Sequence, residues 1–582
     1  MSLRALGFER NHKFSFGSKF LRRFRRPLPL AFAVLAFLVF LGGALYPPSN
    51  YTGLNYRIAR VMQWLAHGQW CWIHTPNFRM NDRACGIEWL TAPVMLFTRS
   101  DRALFLINFI PFLLLPGLIF SVFTRLGVPA RVAWQWMWLL PTGYNFLLQA
   151  ASVANDTFPA VYALAAVDFG CRAWASRRPA DLWHSILAAS LMTGAKASNL
   201  PLLLPWVILI FLRLPVLRRH LAMTAFVLLL AATVSFLPTA ILNVRYCGDW
   251  SGAKLEPPCL VMKNPGIGLA GNGFQLLLAN FVPPVFPPAG WWNQHAQLIM
   301  PRFLINAADK YFDTGFFTIG ELPTEDWSGV GFGISVLLAV SLVASFRLRG
   351  TGSSIPVQPV PPNLRHWVRI ASWLSLAVYC VRAGMVTAAR LIAPYYPLLL
   401  PLALAGAGQS QLIRRCWWRL MTGGVLGLAF VVLILSPDRP LWPAKTILSK
   451  AMARYPDQHL IARAVKVYTI YSERSDSLAG VHSLLPPEIP VVGFIGTEDD
   501  CDISLWRPYG SRRVEHFFLA DPPEEIRKRV RYVVVGGYNL VEHHTTLDAW
   551  LRQSGAELVA STNATLKVSE GLQPWYVVRF KP

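Results

Sequence analysis

Charged residues are scarce in this chain, and acidic residues are scarcer than basic ones. Only 15% of the 582 residues are charged, against roughly 25% in soluble domains, which excludes an ordinary soluble enzyme. Lys and Arg number 55 and Asp and Glu 31, a formal charge of +24 that would suggest a nucleic-acid partner in a soluble chain. However, eight of the basic residues lie in the first 27 positions, directly before an uncharged apolar run. This arrangement is typical of the cytoplasmic flank of a membrane anchor, so we expect no nucleic-acid partner.

Cysteine is also scarce, with eight residues in the whole chain. Their spacing contains no CxxC pair and no neighbouring histidine pattern of the kind that structural zinc requires. The one histidine pair, His543-His544, has no cysteine or spaced carboxylates around it. We therefore interpret it as a solvated helix start and predict no metal site.

Long apolar runs are abundant, and the first of them extends from Leu28 to Tyr46. Its 19 residues can cross a hydrocarbon core of about 30 Å. A cleaved signal peptide is the competing interpretation, but signal peptides have shorter apolar cores and end in small residues, whereas Pro47-Pro48 follows here. Ten further windows have few charges: 103–124, 132–150, 157–175, 182–195, 197–212, 221–243, 328–346, 368–386, 391–408 and 418–437.

The short loops between these windows predict the orientation of the chain. Arginines fall on one side throughout, at 125–131, 177–178, 213–219, 347–365 and 414–419. All these arginine loops can lie on one side of the membrane only if Lys196 is the tip of a hairpin that faces the opposite side. The positive-inside rule then predicts about eleven transmembrane helices, with the amino terminus in the cytoplasm and the carboxyl terminus outside. The arginine-rich flanks favour a bacterial inner membrane, with the periplasm as the outer side.

This topology predicts three regions. Residues 1–27 form a basic cytoplasmic segment, and residues 28–437 form an α-helical polytopic membrane domain with outer loops at 47–102 and 244–327. Residues 438–582 form an extracytoplasmic α/β domain, because strand-like runs alternate there with helical patterns, which favours a largely parallel sheet. Three stretches are predicted to be helices on the membrane surface: 56–70, 86–97 and 274–281.

The same topology sorts the cysteines. Cys71 and Cys85 share the first outer loop, and Cys247 and Cys259 share the second. Disulfides persist outside the cytoplasm, so a bridge within each loop is possible but is not required by the sequence. Cys171 and Cys380 fall within apolar windows and are predicted to be packing residues.

Ionisable residues at the membrane are costly and often functional. Asp156, Lys196 and Arg390 all fall at the outer ends of predicted spans. Capping of helices at the interface would explain any one of them, but all three on one face could together hold a lipid phosphate. Asp168 lies one helical turn from Arg172 and is predicted to form a structural ion pair.

These features together resemble the GT-C superfamily of glycosyltransferases. They are the basic amino terminus and first span, the large first outer loop, Asn155-Asp156, Gly194-Ala195-Lys196, the run Arg390-(x)3-Pro394-(x)2-Pro397-Leu398 and the outer α/β tail. The chain is more closely similar to the protein O-mannosyltransferase-like and aminoarabinose-transferase-like branch, over residues 28–437. Each motif by itself is weak, and the resemblance depends on their order and topology.

The resemblance implies transfer of a sugar from a polyprenyl-phosphate donor to an acceptor on the non-cytoplasmic face, in the cell envelope. It implies that Lys196 and Arg390 bind the donor phosphate, and that an acid in the first outer loop activates the acceptor hydroxyl. The chain departs from the family at this point, because Thr52 occupies the place of that acid, and threonine cannot accept a proton at neutral pH.

Other carboxylates on the outer face could take the role. Asp82 ranks first because it lies in an irregular segment beside Arg83, Asp156 ranks second, and Glu88 is a further candidate within an amphipathic stretch. Asp101 adjoins Arg102 and is predicted to be an interface anchor.

Two alternatives remain at this stage: a non-catalytic GT-C relative, and a lipid-binding or transport membrane protein. A transporter would show internal repeats and polar residues near the membrane midplane, and the sequence has neither. The motifs indicate no cofactor beyond the lipid-linked sugar donor itself. The expected partners are membrane lipids, that donor and an acceptor that the sequence does not identify.

Overall fold

The computed structural model describes residues 22–256, 261–312, 316–347, 360–385, 387–406, 408–568 and 571–581. Most of these residues are helical, and the strands are confined to the last hundred residues. The chain is an integral membrane protein built of apolar helices, with a small sheet-containing region at its carboxyl end. The fold class predicted from the sequence is therefore confirmed.

Helices occur at every apolar window that the sequence predicts. Those in the membrane region are α1 Pro27–Leu45, α2 Ile58–His67, α3 Arg79–Asp82, α4 Glu88–Thr98, α5 Leu106–Arg125, α6 Ala130–Leu139, α7 Tyr144–Ala150, α8 Thr157–Ser176, α9 Pro179–Ala195, α10 Leu203–Ile210, α11 Leu221–Val234, α12 Leu237–Cys247, α13 Pro265–Asn280, α14 Ala289–Ile299, α15 Arg302–Tyr311, α16 Gly331–Arg347, α17 Pro362–Arg382, α18 Ala388–Leu391, α19 Tyr396–Leu404, α20 Gln409–Leu412 and α21 Cys416–Leu435. Short 3₁₀ segments extend α6 and flank α10, and a π-helix, Gly53–Arg57, precedes α2. Proline begins α1, α9 and α17. At the first position of a helix the backbone N–H makes no hydrogen bond within the helix, so its absence in proline costs nothing there.

Four of the described helical segments are long and apolar enough to cross a membrane as continuous helices. They are α1, α5, the segment Ala197–Arg219 that contains α10, and α21. The pair α11 and α12 meets the same criterion together, but it bends by 54°. The remaining windows form helices that are shorter, broken or more polar, so the count of eleven spans stays a prediction.

The two ends of the helix bundle carry different side chains. At one end Asp168 receives Arg172 from the next turn of α8 (2.7 Å) and Arg125 from the end of α5 (2.9 Å). This confirms the predicted ion pair with Arg172. At the other end Asn108, near the start of α5, donates to the carbonyl of Ser152 at 2.8 Å, close to the start of α8. Helices α5 and α8 are therefore aligned along their lengths, and the arginines collect at the end away from Asp156.

The first outer loop is folded into the protein more deeply than the sequence indicates. Helix α2 was predicted to lie on the membrane surface, but its residues from Ile58 to Trp64 are all buried. They share an apolar core with strand residues of the carboxyl-terminal region, and Gln63 donates to the carbonyl of Val514 at 2.9 Å. The prediction is wrong for α2 because the amphipathic face that it presents is covered by protein. Helix α4 fits the prediction better, since Leu96 and Phe97 are exposed.

The second outer loop contains three helices, α13 to α15. The stretch predicted to be a short surface helix, 274–281, is the end of the longer α13. That helix begins where the Asn264 side chain caps the N–H groups of Gly266 and Ile267, and it ends before the proline-rich segment that starts at residue 283.

The carboxyl-terminal region contains helices packed around one five-stranded sheet. The helices are α22 Ala444–Arg454, α23 His459–Glu473, α24 Ala479–Leu484, α25 Pro523–Arg529, α26 Gly537–Glu542 and α27 Leu547–Ser554, and the strands are β1 Val491–Ile495, β2 Arg513–His516, β3 Tyr532–Gly536, β4 Ala556–Ala564 and β5 Gln573–Phe580. The strand order is β2-β1-β3-β5-β4. Strands β2, β1 and β3 are parallel, whereas β5 and β4 pair antiparallel. The sheet is thus mixed rather than largely parallel, because β4 and β5 form a hairpin that needs no crossover helix. Strand β2 was not predicted.

The cysteines that the structure describes are all free thiols. Cys71 and Cys85 are not bridged, although both line a small cavity beside α2. The Cys247 thiol donates to the carbonyl of Asn243 at 2.9 Å, and its possible partner Cys259 lies outside the described residues. Cys171 and Cys380 are buried in helices, as predicted.

Candidate functional site

Asp156 occupies the N-cap position of α8, where the positive end of the helix dipole favours a carboxylate. Its side chain is only 1% exposed. Gln149, at the end of α7, donates an amide hydrogen to Oδ2 of Asp156 at 3.0 Å. The helix start and Gln149 therefore hold the Asp156 carboxylate in position independently of its cationic partners.

Lys196 lies at the break between two predicted spans. Helix α9 ends at Ala195, Lys196 itself is extended, and a 3₁₀ segment begins at Ala197. Its ammonium group forms an ion pair and hydrogen bond with Oδ1 of Asp156. The Lys196 side chain is 18% exposed, against 1% for Asp156.

Arg390 reaches the same carboxylate from a distant part of the chain. It lies in the single-turn helix α18, and its Nε is 3.5 Å from Oδ2 of Asp156. The following segment is joined to the Lys196 turn, since the Tyr395 hydroxyl donates to the carbonyl of Ser198 at 2.6 Å. The structure therefore brings Asp156, Lys196 and Arg390 together, as the sequence predicted for one membrane face.

Asn155 ties this group to the first outer loop. Its side-chain amide donates to the carbonyl of Ala195 at 3.1 Å, and its Oδ1 accepts from Arg57 at 2.5 Å. Arg57 ends the π-helix and also donates to the carbonyl of Val153 at 2.9 Å. A further buried cation is thereby held beside the start of α8.

Sequence reasoning did not identify Asp326, which precedes α16. Its Oδ1 is 3.3 Å from Arg390, and its Oδ2 is 3.2 Å from Arg474 of the carboxyl-terminal region. Asn50 donates to Oδ1 of Asp326 at 2.9 Å. The sequence did contain a signal for Asp326. Glu325-Asp326 is an ionisable pair at the outer end of a predicted span, and the same criterion selected Asp156.

We call the residues Asp156, Lys196, Asp326, Arg390 and Arg474 the charged cluster. Three cations face two carboxylates in it, and Arg57 adds a fourth cation nearby. The carboxylates hold the cations in fixed directions, and the excess of positive charge favours an anionic ligand. Cations that are oriented in a poorly solvated site stabilise developing negative charge better than mobile cations in water.

A second acidic group adjoins the charged cluster. Arg439 pairs with Glu325 at 2.5 Å, and the Glu325 N–H donates to Asp438 at 3.4 Å. Burial, with the Glu325 carboxylate as the next cause, raises the pKa of Asp438 well above its usual value. This group connects the end of α21 to the start of α16 beside the charged cluster.

Asp82 lies in a different cluster. Its nearest charged neighbour is Arg83 at 3.7 Å, and Arg83 pairs with Glu256 at 2.5 Å. Among the described residues, neither carboxylate oxygen of Asp82 has a hydrogen-bond partner. Burial raises the pKa of Asp82 to about 7; Arg83 opposes this shift, and Glu256 adds to it.

The other two acids of the first loop are paired within the fold. Glu88 is fully buried and accepts from Arg60 at 2.6 Å. Asp101 accepts from Arg507 at 2.8 Å and from the Tyr509 hydroxyl at 2.9 Å. Asp101 thus joins the first outer loop to the carboxyl-terminal region, rather than pairing with Arg102 as an anchor at the membrane interface.

Thr52 lies just before the π-helix and is linked through Asn50 to the charged cluster. Its hydroxyl donates to Oδ1 of Asn50 at 2.9 Å, and Asn50 in turn donates to Asp326. Within the described part of the chain, no group of three or more His, Cys, Asp or Glu side chains could hold a metal ion. The ionisable chemistry of the site is therefore that of carboxylates, a lysine and arginines.

A scan of protein-family models and a search of curated proteins found no match. Among solved structures the chain is similar to ArnT from Cupriavidus metallidurans. The structure bound to undecaprenyl phosphate has a TM-score of 0.46 and 12% sequence identity, and the apo structure has a TM-score of 0.48 and 14% identity. Each alignment covers 94% of this chain and 97% of the ArnT chain.

Proposed function

We propose that this protein is a membrane glycosyltransferase that transfers a sugar from a polyprenyl-phosphate donor to an acceptor on the non-cytoplasmic face. One observation carries the proposal: Lys196 and Arg390, which are far apart in sequence, both contact the buried carboxylate of Asp156. Two cations held in this way match the negative charge of a lipid phosphate.

The charge requirements of the reaction support these roles. When the sugar leaves its donor, the bond between the anomeric carbon and the phosphate oxygen breaks, and negative charge accumulates on the phosphate. Fixed cations that contact this oxygen lower the transition-state energy more than the ground-state energy. We assign Lys196 and Arg390 to the donor phosphate and assign Asp156 mainly to their orientation.

Transfer also requires a group that accepts the proton of the acceptor hydroxyl. Asp82, Asp156 and Glu88 remain the candidates that the sequence proposes. Of these three, Asp156 contacts the proposed phosphate-binding cations, and Glu88 is paired with Arg60. Burial raises the pKa of Asp82 to about 7. Substitution of each carboxylate by its amide, with sugar transfer as the measurement, separates these roles.

The proposed location is a bacterial inner membrane, with the amino terminus in the cytoplasm and the carboxyl terminus in the periplasm. The acceptor is then a glycan, lipid or protein of the cell envelope. The rival function is transport or lipid binding without catalysis. To distinguish them, lipid-linked sugars and surface glycans are compared by mass spectrometry in cells with and without the protein. If the protein is a transferase, cells without it lack one sugar on the acceptor, and the lipid-linked donor of that sugar accumulates in them.

Substitution of the two cations tests the phosphate role directly. Lys196→Ala and Arg390→Ala are each expected to lower the transfer rate about 10- to 150-fold, which corresponds to about 1.5–3 kcal/mol for a lost charge-assisted hydrogen bond. Lys450→Ala and Arg454→Ala remove the same charges from exposed positions on α22 and serve as matched controls. Binding of undecaprenyl phosphate to the purified variants is measured in parallel.

The expected pattern is weaker binding and slower transfer in the two site variants, with both controls unchanged. Wild-type transfer by Lys196→Ala and Arg390→Ala would reject the phosphate role. Identical sugars on the glycans, lipids and proteins of the envelope in cells with and without the protein would reject the transferase itself.

A further inference from the structure

Asp326 is the carboxylate of the charged cluster at which four segments of the chain meet. Asn50 comes from the first outer loop, Arg390 from α18 and Arg474 from the carboxyl-terminal region, while Asp326 itself belongs to the second outer loop. Convergence of four segments on one side chain specifies its position tightly.

The contacts of Asp326 differ from those of Asp156. Lys196 and Gln149 occupy one oxygen each of Asp156, which is 1% exposed. The arginines approach Asp326 at 3.2 and 3.3 Å, longer than the 2.7–2.9 Å of strong charge-assisted bonds. The Asp326 side chain is also 12% exposed. Asp326 Oδ1 accepts from both Asn50 and Arg390, whereas Oδ2 accepts from Arg474. A carboxylate oxygen has two lone pairs, so Oδ2 keeps capacity to accept a hydrogen bond from a further hydroxyl group.

Thr52 and Asn50 mark the side from which such a hydroxyl could arrive. Thr52 is partly exposed, and its hydroxyl donates to Asn50 at 2.9 Å. Asn50 is fully buried, and its side-chain amide donates a hydrogen bond to Asp326 at 2.9 Å. A partly open polar surface is thus linked to a carboxylate that also touches Arg390.

From this geometry we propose that Asp326 is the catalytic base of the transfer, and that Asn50 and Arg474 are its positioning residues. This inference rests on the function proposed above. The acceptor oxygen forms a bond to the anomeric carbon with its own electron pair, and its proton passes to Asp326. The bond from the anomeric carbon to the phosphate oxygen breaks, and both of its electrons remain on the phosphate. The products are the glycosylated acceptor, polyprenyl monophosphate and protonated Asp326, which releases its proton to water.

The proposal gives the carboxyl-terminal region a part in catalysis. Arg474 is 4% exposed and lies over the ring of Tyr471, 4.0 Å from the ring centroid. It also donates to the carbonyl of Ser49 at 3.4 Å. Arg474 therefore fixes both Asp326 and the segment that carries Asn50.

The test compares full-length variants for transfer and for donor-phosphate binding. Asp326→Asn keeps the shape of the side chain but removes the base, and Asp326→Glu restores a carboxylate. Asp82→Asn tests the rival base, and Asp457→Asn is the control, because Asp457 is exposed on the loop between α22 and α23. Transfer is measured in membranes of cells that lack the wild-type protein, and binding is measured with undecaprenyl phosphate.

Asp326→Asn is expected to lower the maximal transfer rate 10²- to 10⁴-fold, the usual contribution of a general base. Its affinity for undecaprenyl phosphate should fall much less than its transfer rate, because Asp156 still contacts Arg390, and Asp326→Glu should recover part of the rate. Asp457→Asn should transfer at the wild-type rate, and Asp82→Asn should lower the rate less than Asp326→Asn does.

Three results would overturn the assignment. Transfer by Asp326→Asn within threefold of wild type excludes a base at this position. Loss of phosphate binding together with transfer in Asp326→Asn indicates a structural role only. Loss of transfer in Asp82→Asn with Asp326→Asn still active assigns the base to Asp82. In each of these cases wild-type transfer still supports the proposed function, whereas no transfer by the wild-type protein rejects both proposals.

Discussion

Asp82 shows how one buried carboxyl group can make the stability of the protein depend on pH. Burial raises the pKa of Asp82 in the folded protein to about 7, whereas an exposed aspartate titrates near 4. The folded state therefore binds a proton between about pH 4 and pH 7 that the unfolded chain does not hold. Stability falls with rising pH wherever the folded state binds more protons.

Asp82→Asn is expected to remove this pH dependence. At pH 8 the variant should melt at a higher temperature than wild type, because about 4 kcal/mol of unfavourable ionisation is lost, and at pH 4 the two should melt alike. Thermal melting of the purified proteins at both pH values provides the measurement, with Asp457→Asn as the control. Identical melting temperatures for wild type and Asp82→Asn at pH 8 would contradict a buried, reluctantly ionised Asp82.

The turn that carries Lys196 depends on a close approach between three helical segments. The Gly86 N–H donates to the carbonyl of Gly194 at 2.8 Å. A Cβ atom on Gly194 would lie 1.9 Å from the carbonyl oxygen of Val234, at the end of α11. Because that oxygen belongs to the backbone, a side chain at Gly194 must displace the end of α9, which directly precedes Lys196.

Gly194→Ala is therefore expected to lower both stability and transfer. Overpacking of this kind costs about 1–3 kcal/mol, and displacement of Lys196 should weaken undecaprenyl phosphate binding at least about fivefold. Gly117→Ala is the matched control, since a Cβ atom there has no neighbour within 4 Å and alanine favours the helix. Binding and melting temperature are measured for both variants, and wild-type values for Gly194→Ala would show that the close approach is not required.

Two groups of paired charges lie at opposite ends of the helix bundle. The charged cluster lies at one end, and Asp168 with its two arginines lies at the other. The loops that follow α8 and α21 are thus expected on opposite sides of the membrane, because one continues from the arginine end and the other from the end near Asp438.

Reporter fusions test this arrangement. Fusions after Arg178, Arg219 and Arg415 are expected to report the cytoplasm, and fusions after Asp249 and Pro582 the outer side, because arginine-rich loops are retained in the cytoplasm. Paired alkaline phosphatase and fluorescent protein fusions give opposite signals on the two sides and control for expression. A carboxyl terminus in the cytoplasm would place the charged cluster on the wrong face for the proposed reaction.

The sequence by itself determined the features that depend on local composition. Apolar length predicted the helices, arginine-rich loops predicted one shared face, and the cost of charge near hydrocarbon singled out Asp156, Lys196 and Arg390. The sequence placed these three residues on one membrane face, and their contacts with one another are a finding of the structure.

Only the tertiary structure decided which partners these residues have. Burial of α2 depends on the sheet of the carboxyl-terminal region, about 430 residues later in the chain, and no local pattern encodes that contact. Asp326 and Arg474 are 148 residues apart and meet because three outer segments pack over the ends of the helices. Asp82 and Asp326 carry the same functional group but have different surroundings. Among the described residues the Asp82 carboxyl has no hydrogen-bond partner, whereas Asp326 is held within the charged cluster. Hydrophobic periodicity specifies which face of an element is buried, but long-range packing specifies what covers that face.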